Sequence, residues 1–363
     1  MNLADAHRRL AAGEDLRRDE MQAVMRLIMS GEATPAQIGA FLIALTIKGE
    51  TVEEIVGAAT IMRELAAKVE VAAPSSESPE ASPSFRPVAP SFRSVGPVVD
   101  SVGTGGDGAK LFNVSTASAL VAAAAGAIVA KHGNRAATGN SGSADVLEAA
   151  GVNIALDPRQ VGACIERCGI GFLFAPNHHA ATRHVIAPRR EIGVRTIFNL
   201  LGPLTNPAGA THQLVGVFAQ RWVRPLAEVF AQLGSAHTVV VCSDDGLDEI
   251  SIAAATAVAE YRDGAIREYR IEPRQFGIAE TPLDDLVVAD SSESLKLIRI
   301  ALGGKRGGAY DMVALNAGAT IYAADLSDSL ADGVARAREV LDSGAALAKL
   351  EQLAQCSIAL ARE

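Results

Sequence analysis

Cysteine is scarce. The 363-residue chain has four, Cys164, Cys168, Cys242 and Cys356, none in a C-x-x-C pair, which excludes a disulfide framework and points to a reduced cytoplasmic setting. Only Cys164 and Cys168 share a helix face, and a pair of thiols without further ligands makes a poor zinc site. Long apolar runs are also missing: the longest, Ala119 to Ala130, falls far short of the roughly 20 residues that a membrane-spanning helix needs. The N-terminal stretch MNLADAHRRLAAGEDLRR has no signal-peptide core. Excess positive charge is lacking too. With 33 basic against 42 acidic residues the net charge is -9, which disfavours nucleic acid and anionic membranes as partners. What is present is ordinary for a globular chain, 49% hydrophobic and 21% charged, long enough for about two domains.

Residues 1–71 carry a helical period. Met21, Val24, Met25 and Ile28, then Ile38, Phe41, Leu42 and Leu45, form apolar stripes, and Thr34-Pro35 reads as an N-cap followed by proline. A further helix is expected from about Thr51 to Val69, giving a small all-helical unit. Residues 72–97 break the pattern with prolines and serines and a tandem heptad, Ser84 to Pro90 and Ser91 to Pro97, and read as an extended or disordered linker. From Val98 on, short apolar runs alternate with helical segments (PVVDSVG, STASALVAAAAG, AIVAKHG, ADVLEAAG, HTVVVCS). This predicts an α/β domain over 98–363 with a mainly parallel sheet covered by helices, and ligands beyond the carboxyl ends of its strands.

The first strand runs into Gly103-Thr104-Gly105-Gly106-Asp107-Gly108, formally a G-x-G-x-x-G. A dinucleotide site is the wrong reading: Asp107 would face a pyrophosphate, the helix starts only after Leu111-Phe112-Asn113, and Lys131 ends the next strand where an acid should bind ribose. The loop suits a phosphate ester handled with a metal, because glycines admit close backbone N–H groups and Asn113-Val114-Ser115-Thr116 opens a helix. Asn113 also reads as a plain N-cap.

The second strand delivers Lys131-His132-Gly133-Asn134-Arg135, followed by Ser141-Gly142-Ser143-Ala144-Asp145 at another helix start, a second anion site. Further on, Asp244, Asp245, Asp248 and Glu249 crowd one strand end, either a solvated turn or, with Asp248-Glu249 as the holder, a magnesium site. The segment 176–206 is rich in His178, His179, Arg183, His184, Arg189, Arg190 and Arg195. Its histidines lack metal-pair spacing, whereas one of its arginines could orient a carboxylate substrate.

Taken together and in order, GTGGD, N-x-S-T, KHGNR, GSAD, RTIFNLLGPLTNPA and DGLDE resemble the anthranilate phosphoribosyltransferase family of tryptophan biosynthesis, over residues 1–71 and about 98–363. The resemblance implies a small helical domain, with a returning segment near 179–200, joined to an α/β domain. It implies a cytoplasmic homodimer without nucleic-acid or membrane partners, and two magnesium ions per active site. By the same resemblance, Gly103, Gly105, Gly106, Asp107, Asn113, Ser115, Thr116, Lys131 and Ser143 hold phosphoribosyl diphosphate; Ser115, Asp248 and Glu249 hold metal; and Gly103, Asn134, His179, Arg189 and Gly202 line the anthranilate channel, Arg189 meeting the carboxylate. Lys131, Asp248 and Glu249 are the residues it makes catalytic. Ala180, Thr182 and Pro188 depart from the family pattern close to Arg189. Two rivals remain at this stage. A pyrimidine nucleoside phosphorylase would share the glycine loop but has no need of an acidic metal loop, and a non-catalytic nucleic-acid binder would want a basic groove.

Overall fold

The computed structural model describes residues 1–71, 96–136 and 140–363. The linker expected at 72–97 lies outside the described residues apart from its last two positions. The chain opens with four helices, α1 (Leu3–Ala11), α2 (Arg18–Met29), α3 (Pro35–Lys48) and α4 (Val52–Leu65). Capping boxes start the last two. Thr34 accepts from the Gln37 N–H at 3.3 Å while Gln37 accepts from the Thr34 N–H at 2.9 Å, and Thr51 with Glu54 repeats the motif. Helix α4 stops at Leu65 rather than near Val69, because Ala66 turns extended (ψ 141°). The apolar periodicity misleads here: Val69 is buried, but against a different core, with its N–H donating to the Pro207 carbonyl.

The remainder alternates as the sequence predicts. In order come β1 (Val98–Gly103), α5 (Val114–Ala124), β2 (Ile128–Gly133), α6 (Ser143–Ala149), α7 (Pro158–Cys168) and β3 (Ile170–Phe174). Then follow α8 (Ala175–His178), α9 (Arg183–Ile192), α10 (Phe198–Leu204), β4 (His212–Gly216), α11 (Val223–Gln232), β5 (His237–Ser243), β6 (Thr256–Arg262) and β7 (Ala265–Ile271). Four helices close the chain, α12 (Ser291–Leu302), α13 (Gly308–Ala323), α14 (Leu330–Asp342) and α15 (Ala345–Leu360). The seven strands form one sheet in the order β3-β2-β1-β4-β5-β6-β7. Strands β1 to β5 run parallel, and β6 and β7 add an antiparallel edge.

The sheet separates two cores. Helices α1–α4 share one with Val185 of α9, with Phe198, Leu200, Leu201 and Leu204 at α10, with α11, and with Val215 and Val240 of the sheet. Leu214, Val239 and Val241 point the other way, into the core built by α5, α7 and α13–α15. This alternation is the period of two of a strand buried on both faces. On α15, Cys356 lies beside Cys164 and Cys168, so the expectation of a thiol pair without a third ligand is corrected. From β1 the chain moves outward through β2 and β3, then returns to lay β4 on the other side of β1. The strand order thus reverses between β1 and β4, which opens a crevice at their carboxyl ends.

Candidate active site

That crevice is where the glycine loop and the acidic loop meet. Gly105, Gly106 and Gly108 have φ of 65°, 81° and 80°, the left-handed region that other residues enter only with strain. The Gly105 N–H, so turned, donates to Asp248 Oδ2 at 2.6 Å. A side chain on Gly103 would run into the Asp248 carboxylate, and one on Gly216, which ends β4, into the Asp248 backbone. These two glycines therefore let the acidic loop close over the ends of β1 and β4. Arg195 donates to the Gly106 carbonyl at 2.7 Å and lies on the Phe218 ring, fastening the loop from the opposite side.

Only half of the acidic run faces this crevice. Asp244 is taken by Arg270 and Gln220, and Asp245 accepts from the Ser243 and Ser251 hydroxyls, so both serve the turn. Asp248 is buried and Glu249 partly so, and Glu249 Oε1 accepts from the Ser115 N–H at 3.2 Å. Burial, reinforced by the neighbouring Asp107, pushes the Asp248 carboxyl up to about 7. Burial and the Asp248 charge hold Glu249 well above the usual carboxylate range. Asn316 of α13 fixes the loop just beyond them, bonding both the N–H and the carbonyl of Ile250 at 2.9 Å.

Lys131 is the cation facing this acidic group. It is 3% exposed; burial lowers its pKa, and Asp100, Glu249 and Asp248 oppose that shift. Asp100, wholly buried in the middle of β1, had no place in the sequence reading. Its oxygens accept from the His132 N–H at 3.2 Å and from Asn206 Nδ2 at 2.7 Å, and burial still raises its carboxyl to about 6. The only hint in the sequence was a charge inside an apolar strand, PVVDSVG.

At the head of α5, Asn113 holds the N-cap position without capping. Its side chain instead accepts from Ser141 and Ser294 at 2.7 Å each and donates to the Ser141 carbonyl, which ties the two anion loops together. One turn inward, the buried Thr116 hydroxyl has no hydrogen-bond partner among the described residues. Ser143 begins α6, and its hydroxyl donates to the Asn134 carbonyl at 3.3 Å. Arg135, also in the KHGNR stretch, is neutralised by Asp145 and Glu148 at 2.8 Å, which leaves Lys131 as its buried cation.

Since neighbouring residues of a strand point to opposite faces, His132 leaves β2 on the side away from Lys131. Its ring lies 5.2 Å from that of His179. Burial, then the nearby His179, drops the His132 pKa well below its ordinary value, and burial with His178 takes His179 down to about 4, so both rings are neutral. The Nε2 atoms of both are buried and unpartnered among the described residues. The Gly202 backbone lies near His132, where it weakly opposes the fall of that ring's pKa; a side chain at Gly202 would meet nothing within 4 Å. Arg189 projects from α9 above the Phe198 ring at 5.2 Å. Burial lowers its pKa, and it makes no hydrogen bond or ion pair with any described residue. Pro188 is buried inside α9 and does not break it.

The site thus draws on two sets of groups. One carries hard oxygen donors, the Asp248 and Glu249 carboxylates that repel one another out of water and the Ser115 hydroxyl, with glycine-loop and helix-start N–H groups alongside. Such a set fits Mg2+ shared with phosphate oxygens. The neutral imidazoles of His132 and His179, and the Arg189 guanidinium without a partner among the described residues, are groups suited to a flat acid.

Known proteins agree with this architecture. Residues 4–66 match the helical bundle domain of the glycosyl transferase family, and residues 95–347 match its α/β domain. The anthranilate phosphoribosyltransferase of Ectopseudomonas mendocina is 53% identical, covering 100% of this chain and 99% of its own, and that of Methylococcus capsulatus is 55% identical at 98% of each. Among solved structures, the Thermus thermophilus enzyme of the same name superposes with a TM-score of 0.85 at 43% identity, over 99% of this chain and all of that one. The Saccharomyces cerevisiae enzyme, solved in complex with PRPP and Mg, gives 0.84 at 25% identity, covering 98% of each chain.

Proposed function

This chain belongs to the anthranilate phosphoribosyltransferase family, and from that premise we infer that it moves the 5-phosphoribosyl group of phosphoribosyl diphosphate onto the amine of anthranilate, releasing pyrophosphate, in tryptophan biosynthesis. The observation that carries this reading is the pair of buried, mutually repelling carboxylates Asp248 and Glu249 closed against the glycine loop, with Arg189, without a partner among the described residues, as the group we assign to the acceptor.

In this reading Gly103, Gly105, Gly106 and Asp107 shape the loop around the diphosphate. Asn113, Ser115, Thr116 and Ser143 present hydroxyls and helix-start N–H groups to it, and Lys131 supplies fixed charge. Ser115, Asp248 and Glu249 hold magnesium, two ions per site. Bound there, the metal neutralises charge on the departing pyrophosphate. The C–O bond at the ribose anomeric carbon breaks as the carbon gains oxocarbenium character. Lys131 and the backbone donors face the oxygen that takes up the electron pair, each well-aimed donor lowering the barrier by ~3 kcal/mol. Arg189 grips the anthranilate carboxylate, and Asn134, His179 and Gly202 line the channel that brings the amine to the ribose carbon. His132, neutral, orders this wall rather than taking the proton, which the amine releases to solvent after attack. The large negative net charge supports a reading without nucleic acid; the protein acts as a cytoplasmic homodimer. The test is direct. Anthranilate fluorescence should decay when phosphoribosyl diphosphate and Mg2+ are both present and stay constant when either is omitted; release of free base and pentose 1-phosphate from a pyrimidine nucleoside and inorganic phosphate, with anthranilate fluorescence unchanged, would support the phosphorylase reading instead.

A further inference from the structure

The C-terminal helix brings together what the sequence keeps nearly 200 residues apart. Cys164 and Cys168 occupy successive turns of α7, with sulfurs 3.6 Å apart, and Cys356 of α15 packs against them so that all three sulfurs lie within 4.8 Å of one another. An ion about 2.3 Å from each sulfur holds its ligands roughly 3.8–4.0 Å apart, so the three already stand close to a coordination triangle. Cys164 and Cys168 are 1% and 3% exposed, while Cys356 is partly buried, which gives a dry soft-ligand floor with one member nearer solvent. The surroundings are anchored: Lys349 of α15 donates to the Cys168 carbonyl at 2.8 Å, and Arg167 pairs with Glu363 at 2.7 Å. Among the described residues this is the one group of three or more such side chains spaced to share an ion, and none of its members belongs to the transferase site.

We propose that Cys164, Cys168 and Cys356 form a three-sulfur site for a thiophilic d10 metal ion, Zn(II) or Cu(I), that clips the C-terminal helix to α7. Each thiol that still carries its proton releases it to solvent as the metal–sulfur bond forms. Three sulfurs complete a trigonal Cu(I) shell, or leave a fourth position on Zn(II) for water entering past Cys356.

The full chain, reduced and stripped of metal, is titrated with Zn(II) against a chromophoric chelator in excess Mg2+, which occupies the carboxylate pair. A parallel anaerobic titration uses Cu(I) and a Cu(I)-selective chelator. The expected result is uptake of one equivalent in at least one arm, with the tighter arm naming the ion. Cys356→Ser should weaken that uptake by about 100-fold or more, while Cys242→Ser, the isolated buried thiol, should leave it unchanged. Metal loading should also protect all three cysteines of the wild-type chain from alkylation, a reading that needs no variant. Wild-type affinity in Cys356→Ser, or alkylation of the three at the metal-free rate, overturns the proposal.

Discussion

Arg189 illustrates how much one side chain can carry. A guanidinium lifted partly out of water with no acceptor among the described residues is in an unfavourable place unless a ligand supplies one. The Phe198 face beneath it restricts its motion and leaves its planar edge free for a bidentate carboxylate. Arg189→Ala should therefore raise the anthranilate KM by about 10- to 150-fold, the loss of one charge-assisted pair at ~1.5–3 kcal/mol, and leave the KM for phosphoribosyl diphosphate within about twofold. Arg189→Lys, a point charge without the fork, should recover only part of the loss. Steady-state kinetics with each substrate varied separately checks this, and parallel losses for both substrates would remove Arg189 from the acceptor end.

Among elements, the β4–β5 pair does two jobs. At its carboxyl end, Gly216 leaves room for the Asp248 backbone. Gly216→Ala should cost about 1–3 kcal/mol of stability through overpacking and shift the Mg2+ dependence of the rate to higher concentration by displacing the carboxylate pair. Thermal melts and a Mg2+ titration read the two effects, and an unchanged Mg2+ profile would show that the loop closes without that glycine. At the other end, Glu260 of β6 accepts from His237 of β5 at 3.1 Å, from Tyr322 of α13 at 2.7 Å and from Tyr269 of β7 at 2.9 Å. Burial alone would push its carboxyl up, yet these bonds hold it down at about 2. A depressed carboxylate stabilises the fold above its unfolded value of 4.5 and loses that contribution as pH falls toward 2. In urea unfolding, the wild-type advantage over Glu260→Gln should be full at pH 6 and shrink by up to about 3 kcal/mol by pH 2; a gap independent of pH would mean that the charge contributes nothing. The contrast between the two ends also shows what was legible in sequence. The glycine loop, the Asp248-Glu249 pair and the parallel α/β order could be read because each is a run of adjacent residues whose local geometry is its chemistry. Asp100, Asn206, the Glu260 network and Cys356 could not. Their partners come from elements 20 to 200 positions away, and no period or spacing records which strand lies beside which. The end of α4 failed for a related reason, since burial of Val69 by a second core mimics one more helical turn.

For the whole molecule, the balance between the two cores bears on assembly. Helices α3 and α9 pack on each other within the core shared with the helical bundle, yet Ile47 of α3 is 81% exposed, Ile186 of α9 50% and Val194, just beyond α9, 54%. Isolated apolar residues on a surface are ordinary, but three large ones on adjoining elements are best explained by a covering partner, and the proposed homodimer supplies a second copy of the same face. Light scattering should then give about twice the chain mass of 37.6 kDa. Ile47→Glu combined with Ile186→Glu should return the single-chain mass at micromolar concentration, because burying two carboxylates without partners costs several kcal/mol. The proposed site draws Lys131, Asp248, Glu249 and Arg189 from one chain, so the separated protomer should keep its turnover within a few-fold. A collapse of kcat in a folded monomer would mean that the partner completes the site. An undiminished mass in the double variant would move the interface to another face of the molecule.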